Sequence, residues 1–145
     1  MSLSPEVCLR GVLATLQNRI LPSLIDNFAV EDARLAGLVL TITTNGIDDA
    51  AAIRIAENAA MRELFRDAAG IARDSALADK LRAAGTAECS GYRLSELDAD
   101  NAVLRGLLVE LHEAVELQAG DKARAIDSRI WRMLKRFEDV RAPRR

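Results

Sequence analysis

Apolar residues recur every three or four positions along most of this chain, and that period admits few folds. From Leu97 the series runs through Leu104, Leu108, Leu111 and Val115, breaks at Gly120-Asp121, and resumes at Ile126, Ile130, Met133, Leu134 and Phe137. Spacing of this kind places side chains on one face of a helix, whereas a half-buried strand would alternate. Two such stripes joined by a glycine turn predict an antiparallel helical hairpin. Its first helix, opened by the capping-box-like Ser95-Glu96-Leu97-Asp98, should reach about Ala119. Glycine would end that helix and Asp121 would cap the next, which frays near Pro143.

The upstream half reads the same way. Ser4-Pro5-Glu6 is a helix start, with a serine cap, a proline at the first helical position and an acid at the positive end of the dipole. Leu9, Leu13, Leu16, Ile20, Leu24 and Phe28 follow at helical spacing, and Pro22 within the series predicts a kink. A second helix is expected from about Val30 to Thr44, closed by Asn45-Gly46. Leu35, Leu38, Val39 and Ile42 share one of its faces, and Leu40 lies off it, which suggests burial on more than one side. Its β-branched end has no second strand to pair with, so a strand is rejected. A third helix should start at Asp48-Asp49 with Ile53, Ala56, Ala60 and Leu64 inward. A fourth, from about Asp74 to Ala84, buries Leu77 and Leu81 and stops at Gly85. Residues 85–94, Ser90 and Gly91 among them, read as a loop. The expectation is an all-α fold, a single helical domain over residues 1–145 forming a compact bundle of five to six helices.

Composition supports this reading and narrows the function. Half of the 145 residues are hydrophobic but only 3% are aromatic, so the core is Leu, Ile, Val and Ala. The net charge of -2 hides a division: residues 121–145 hold nine Lys/Arg against four Asp/Glu, and residues 1–120 hold eleven against eighteen. Neither a leader pattern nor an apolar run of membrane-spanning length stands out, and Cys8 and Cys89 read as free thiols. These features lead to the expectation of a cytoplasmic protein without a membrane partner.

Catalytic patterns are missing. The glycines stand apart and build no phosphate loop, and HExxH is absent. His112 is the single histidine. A di-iron bundle needs Glu-x-x-His on two helices, and position 109 is Val, so no metal and no cofactor are expected. Asn101, Arg105, His112 and Glu116 fall on one edge of the fifth helix. That edge either borders a small pocket, with Arg105 and His112 at its rim, or is a solvated flank of locally paired side chains. Arg129, Arg132 and Arg136 share a flank of the sixth helix. Asp139 can serve Arg136 or Lys135, but Arg129 and Arg132 have no acid within the helix. They would meet an acidic partner or a phosphate, or acids on neighbouring helices. Trp131 projects about 120° from that helix's apolar centre, among Arg124, Asp127, Ser128 and Lys135. Such a ring either packs under another element or marks an interface, and a second copy of the chain with Trp131 near a two-fold axis is expected.

The segment from about Leu13 to Phe65 resembles a family of small uncharacterised bacterial helical proteins. The shared features are Ile20-Leu21-Pro22-Ser23-Leu24, then Phe28, Ala33-Arg34-Leu35-Ala36 and Glu63-Leu64, about a third of the chain. The hairpin from Leu94 onward departs from that pattern. The resemblance implies an accessory role beside an aminoglycoside-phosphotransferase-like or acyl-CoA enzyme and carries no functional residue over. The expected function is therefore a non-catalytic accessory or interaction protein forming a homodimer, with Trp131, Arg129, Arg132 and Arg136 as partner-binding residues. Two other readings stand beside it: a small-molecule binder, and a nucleic-acid-binding regulator, which the acidic pI near 5.5 and the lack of a helix-turn-helix disfavour.

Overall fold

A computed structural model of the protein describes residues 4–89 and 91–142. Ser90 and Pro143, named above in a loop and at a fraying end, lie outside the described residues. The described residues form six α-helices and no strand. None of these helices is long and apolar enough to cross a membrane. The chain divides into two compact units, residues 1–50 and 51–145.

The first unit is a helical hairpin. Helix α1 (Pro5–Thr15) starts where the serine and proline place it, with Ser4 Oγ accepting from the Val7 amide at 3.3 Å. Pro22 has no amide to donate back to residue 18. The chain answers with a π-helical turn at Leu16–Ile20 and a 3-10 turn at Leu21–Ser23, which is the expected kink. Helix α2 (Asn27–Gly46) begins earlier than the apolar pattern indicates, because Asp26 caps it, accepting from the Phe28 and Ala29 amides at 2.7 and 3.3 Å.

The packing of α2 differs from the sequence expectation. Leu35, Leu38, Val39 and Ile42, the expected inward face, are exposed. The face turned to α1 is the opposite one, where Gly37 and Thr44 are buried and Ala33, Leu40 and Thr41 half-buried. Small side chains win there because they let the backbones approach, with Leu13 of α1 and Leu16 of the π-helical turn lying against Gly37. The second buried side that Leu40 suggested is thus the side that packs.

The second unit comprises α3 (Ala50–Ala68), α4 (Ser75–Thr86), α5 (Leu94–Glu116) and α6 (Asp121–Arg141). Met61, Leu64, Phe65 and Ala68 of α3 join Leu77 and Leu81 of α4 in one core, with Leu104, Leu108 and Leu111 of α5 and Ile126, Ile130 and Phe137 of α6. The α5–α6 hairpin is as predicted, with Met133 and Leu134 partly buried against it. Its turn differs in detail: Gly120 itself takes φ 129°, open to glycine, and Asp121 is the first residue of α6 rather than its cap. At the start of α5 the reciprocal bond comes from Glu96, whose carboxylate accepts from the Arg93 amide at 3.1 Å.

Helix α3 is rotated from its expected orientation. Ala56 is exposed and Ile53 and Ala60 half-buried, while Glu57, Asn58 and Arg62 are buried with Met61 and Phe65. Gly85 also has another role than stopping α4. It is buried within the last turn, and a Cβ there would stand 2.7 Å from Arg66 Cγ and 3.1 Å from the Arg66 backbone nitrogen. The missing side chain lets α4 close onto α3, and the Gly85 carbonyl accepts from Arg66 Nη1 at 2.7 Å.

Candidate functional site

Three places in the second unit bring polar side chains together, and they sort the residues that the sequence singled out. The first is a groove of about 650 Å³ between α3 and α6. Ile53, Ala56, Ala60, Met133, Phe137 and Val140 give it apolar walls. Arg129, Arg132 and Arg136 line it together, so the shared flank read from the sequence is a wall of this groove. Their electrostatic situations differ. Arg129 is neutralised by α3, pairing with Asp67 and with Glu63 at 3.3 Å. Arg132 donates only to the Ser128 carbonyl, at 3.3 Å, and among the described residues neither it nor Arg136 forms an ion pair. Lys135 takes Asp139, at 3.4 Å. Two unpaired guanidinium groups beside an apolar trough suit an acidic amphipathic partner.

The second place lies behind the groove and was not legible as a site. Glu57 is 2% exposed, yet carries a charge. Arg141 approaches it with two nitrogens, at 2.7 and 2.5 Å, and Arg54 Nη1 stands 3.0 Å away. Asn101 Nδ2 adds a bond at 3.2 Å and Arg105 stands at 3.6 Å. Burial pushes the Glu57 carboxyl upward, but the hydrogen bonds and charges of Arg141 and then Arg54 outweigh it and hold the pKa below the ordinary carboxylate value. The network continues through Asn101 to Asn58, at 2.7 Å, and from Asn58 to Asp100 at 3.2 Å. Asp100 also accepts from Arg62 Nη2, at 2.8 Å to each oxygen. Arg105 is thereby committed: Nε donates to Asn101 at 2.9 Å, and the guanidinium lies 5.7 Å from the Phe137 ring centroid. This is a clamp made of charge, with α3, α5 and α6 as its jaws.

The third place is at His112. Its Nε2 lies 2.9 Å from Asp127 Oδ1 on α6 and 3.6 Å from Glu116 Oε1 one turn along α5. Trp131, one turn beyond Asp127, meets the imidazole edge to face, with centroids 5.3 Å apart and planes at 80°. Trp131 remains 57% exposed. Its covering from within the chain thus comes from a histidine flank. His112 and Arg105, paired on one helix edge by the sequence, are drawn to different places, and neither lines the groove.

Sequence reasoning missed Asp127 as a partner of His112, although the hairpin it predicted contains the signal. Residues a few positions either side of the α5–α6 turn face each other, and 112 and 127 lie within two helical turns of it on the two helices. Glu57 had a signal too: stepping back by three and four residues from Phe65 reaches Arg62 and Met61, and from Met61 reaches Asn58 and Glu57. Residue type obscured it, because charged side chains are ordinarily placed outside. No family model, curated protein or solved structure matches the chain.

Proposed function

We propose that this protein is a non-catalytic helical interaction protein that self-associates through the bare face of α2. One observation carries the reading: Phe28, Leu35, Leu38 and Ile42 are 84, 61, 56 and 58% exposed on a single stripe. Phe28, Leu35 and Ile42 are seven residues apart, and Leu38 lies between them at the companion heptad position, the spacing of a helix-pairing seam. With α1 already packed on the other side, α2 is apolar on two opposite faces, and a contiguous exposed patch of this kind marks an interaction surface.

The occupant we assign is a second copy, running antiparallel. Glu31 and Asn45 occupy the remaining inner heptad positions, and the charged residues of α2, Glu31, Asp32 and Arg34, all lie in its N-terminal half. Parallel pairing would set Glu31 against its own copy. Antiparallel pairing sets it against the apolar C-terminal half, relieves that repulsion, opposes the helix dipoles and closes the contact with two-fold symmetry. Two hairpins joined in this way form a four-helix bundle. This moves the interface from Trp131, which the sequence favoured, to α2. The two cysteines, both exposed and unpaired, suit a reducing cytoplasm.

Sedimentation or light scattering of the full chain tests the reading. The expected result is a dimer that becomes a monomer in the Leu35→Glu/Leu38→Glu variant, while Trp131→Glu leaves the mass unchanged. A wild-type monomer at about 100 μM, a concentration at which any contact of useful affinity would be populated, overturns it.

A further inference from the structure

We infer that His112, Glu116 and Asp127 form a binding site for a divalent first-row transition ion of the zinc type. The three side chains offer one imidazole nitrogen and two carboxylate oxygens, and these atoms all lie within 4.8 Å of one another. A tetrahedral ion with metal–ligand distances of about 2.0–2.2 Å holds its ligands about 3.4 Å apart. The 2.9 and 3.6 Å separations from His112 Nε2 bracket that value, and the two carboxylates lie within 4.8 Å of each other, so rotation of the exposed Glu116 side chain closes the set around an ion. The donors sit on two rigid helices rather than on a loop, His112 and Glu116 in successive turns of α5 and Asp127 opposite them on α6.

The electrostatics agree. Arg129 and Arg124 are the basic residues nearest Asp127 along α6. Arg129 is engaged by Glu63 and Asp67 of α3, and Arg124 by Asp121. Asp127 and Glu116 have no arginine or lysine within ion-pair distance among the described residues, so His112 is the one group facing both carboxylates. A neutral histidine leaves two negative charges there, and a divalent ion balances them. The imidazole binds with its proton on Nδ1, leaving the Nε2 lone pair to the metal. Glu116 is well exposed, so a fourth, water-occupied position opens to solvent. The pattern escapes the Glu-x-x-His search because its carboxylates come four residues after the histidine and from the next helix. The inference is independent of self-association, because it uses no residue of α2.

Trp131 makes the test direct. It is the single tryptophan, and its ring touches the imidazole, so an ion on His112 alters its fluorescence. The full chain, with Cys8 and Cys89 changed to Ser to remove competing thiols, is titrated with Zn²⁺ by calorimetry and with Co²⁺ by tryptophan quenching. One equivalent is expected to bind in both. His112→Gln should abolish binding, and Asp127→Asn and Glu116→Gln should each weaken it by at least about tenfold, the loss that even indirect supports of a metal ligand produce. Thermal melts identify any variant that fails to fold, and the Glu116→Gln change, on an exposed side chain, provides the arm least open to that failure. Absence of binding up to about 100 μM ion overturns the inference. So does equal affinity in His112→Gln, which would place the ion elsewhere.

Discussion

The two units contain similar helices and use their apolar residues in opposite ways. In the second, Phe65, Met61, Leu64, Leu81, Leu97, Leu111 and Ile130 are essentially inaccessible. In the first, the buried residues of α2 are Gly37 and Thr44, α1 has none, and the large side chains of α2 stand outside. The difference is one of partners. Four helices can enclose a core, whereas a two-helix hairpin has only one seam to close. Short helices are marginal alone, so that one seam leaves the hairpin with less of its own packing to hold it.

The largest expected effect separates the two directly. Phe65→Ala should destabilise the second unit by about 3–5 kcal/mol, and Leu108→Ala by about 2–5 kcal/mol, because each leaves a cavity among fixed neighbours. Leu38→Ala removes as much hydrocarbon from a solvent-facing position, so in a dissociated chain it should cost under about 0.5 kcal/mol. Denaturant melts at low protein concentration measure all three. A loss at Leu38 comparable to that at Leu108 would break the contrast.

Glycine gives a second, smaller comparison. Gly85→Ala forces a methyl against backbone of α3 and should cost about 1–3 kcal/mol. The Cβ at Gly37 would meet Leu16 at 3.6 Å, an ordinary contact. Alanine also favours helix, so Gly37→Ala should be neutral or stabilise by up to about 1 kcal/mol. Opposite signs at these two glycines would show one seam jammed and the other loosely filled.

The third prediction sharpens the electrostatic side of the comparison. Glu57 has a lowered pKa in the folded protein, so its contribution is complete above the unfolded carboxylate value and declines as pH falls through the folded one. The second unit should lose stability on acidification below about pH 4.3, the ordinary glutamate value, and Glu57→Gln should flatten that slope while lowering stability at neutral pH. Melts from pH 3 to 7 check it; an unchanged slope in the variant would assign the acid sensitivity to other carboxylates.

What was legible in the sequence follows from what periodicity encodes. The all-α fold, the Pro22 kink, the caps at Ser4 and the Leu104–Phe137 hairpin core all rest on local spacing or local stereochemistry. Orientation needs more. In α2 the larger apolar stripe looked inward because burial of large side chains is the stronger expectation, but a close helix approach selected Gly37 and its neighbours. In α3 the polar side chains of Glu57, Asn58 and Arg62 hid a buried face, because their partners Asp100, Asn101 and Arg141 lie on other helices. At His112 the sequence supplied the histidine and the hairpin, and only the packing of α6 against α5 brings Asp127 into reach.

The Glu57 clamp also bears on how the molecule is made. Glu57 is synthesised before Arg141, which holds both of its oxygens and follows 84 residues later. Until then the carboxylate lacks its main counter-charge, and an ionised group cannot be sequestered from water without one. The inner face of α3 therefore stays hydrated on the nascent chain, and its hydrophobic neighbours Met61 and Phe65 wait with it. The second unit sets its own assembly order: α6 must arrive before α3 can be shut away, so this unit's fourth helix locks its first.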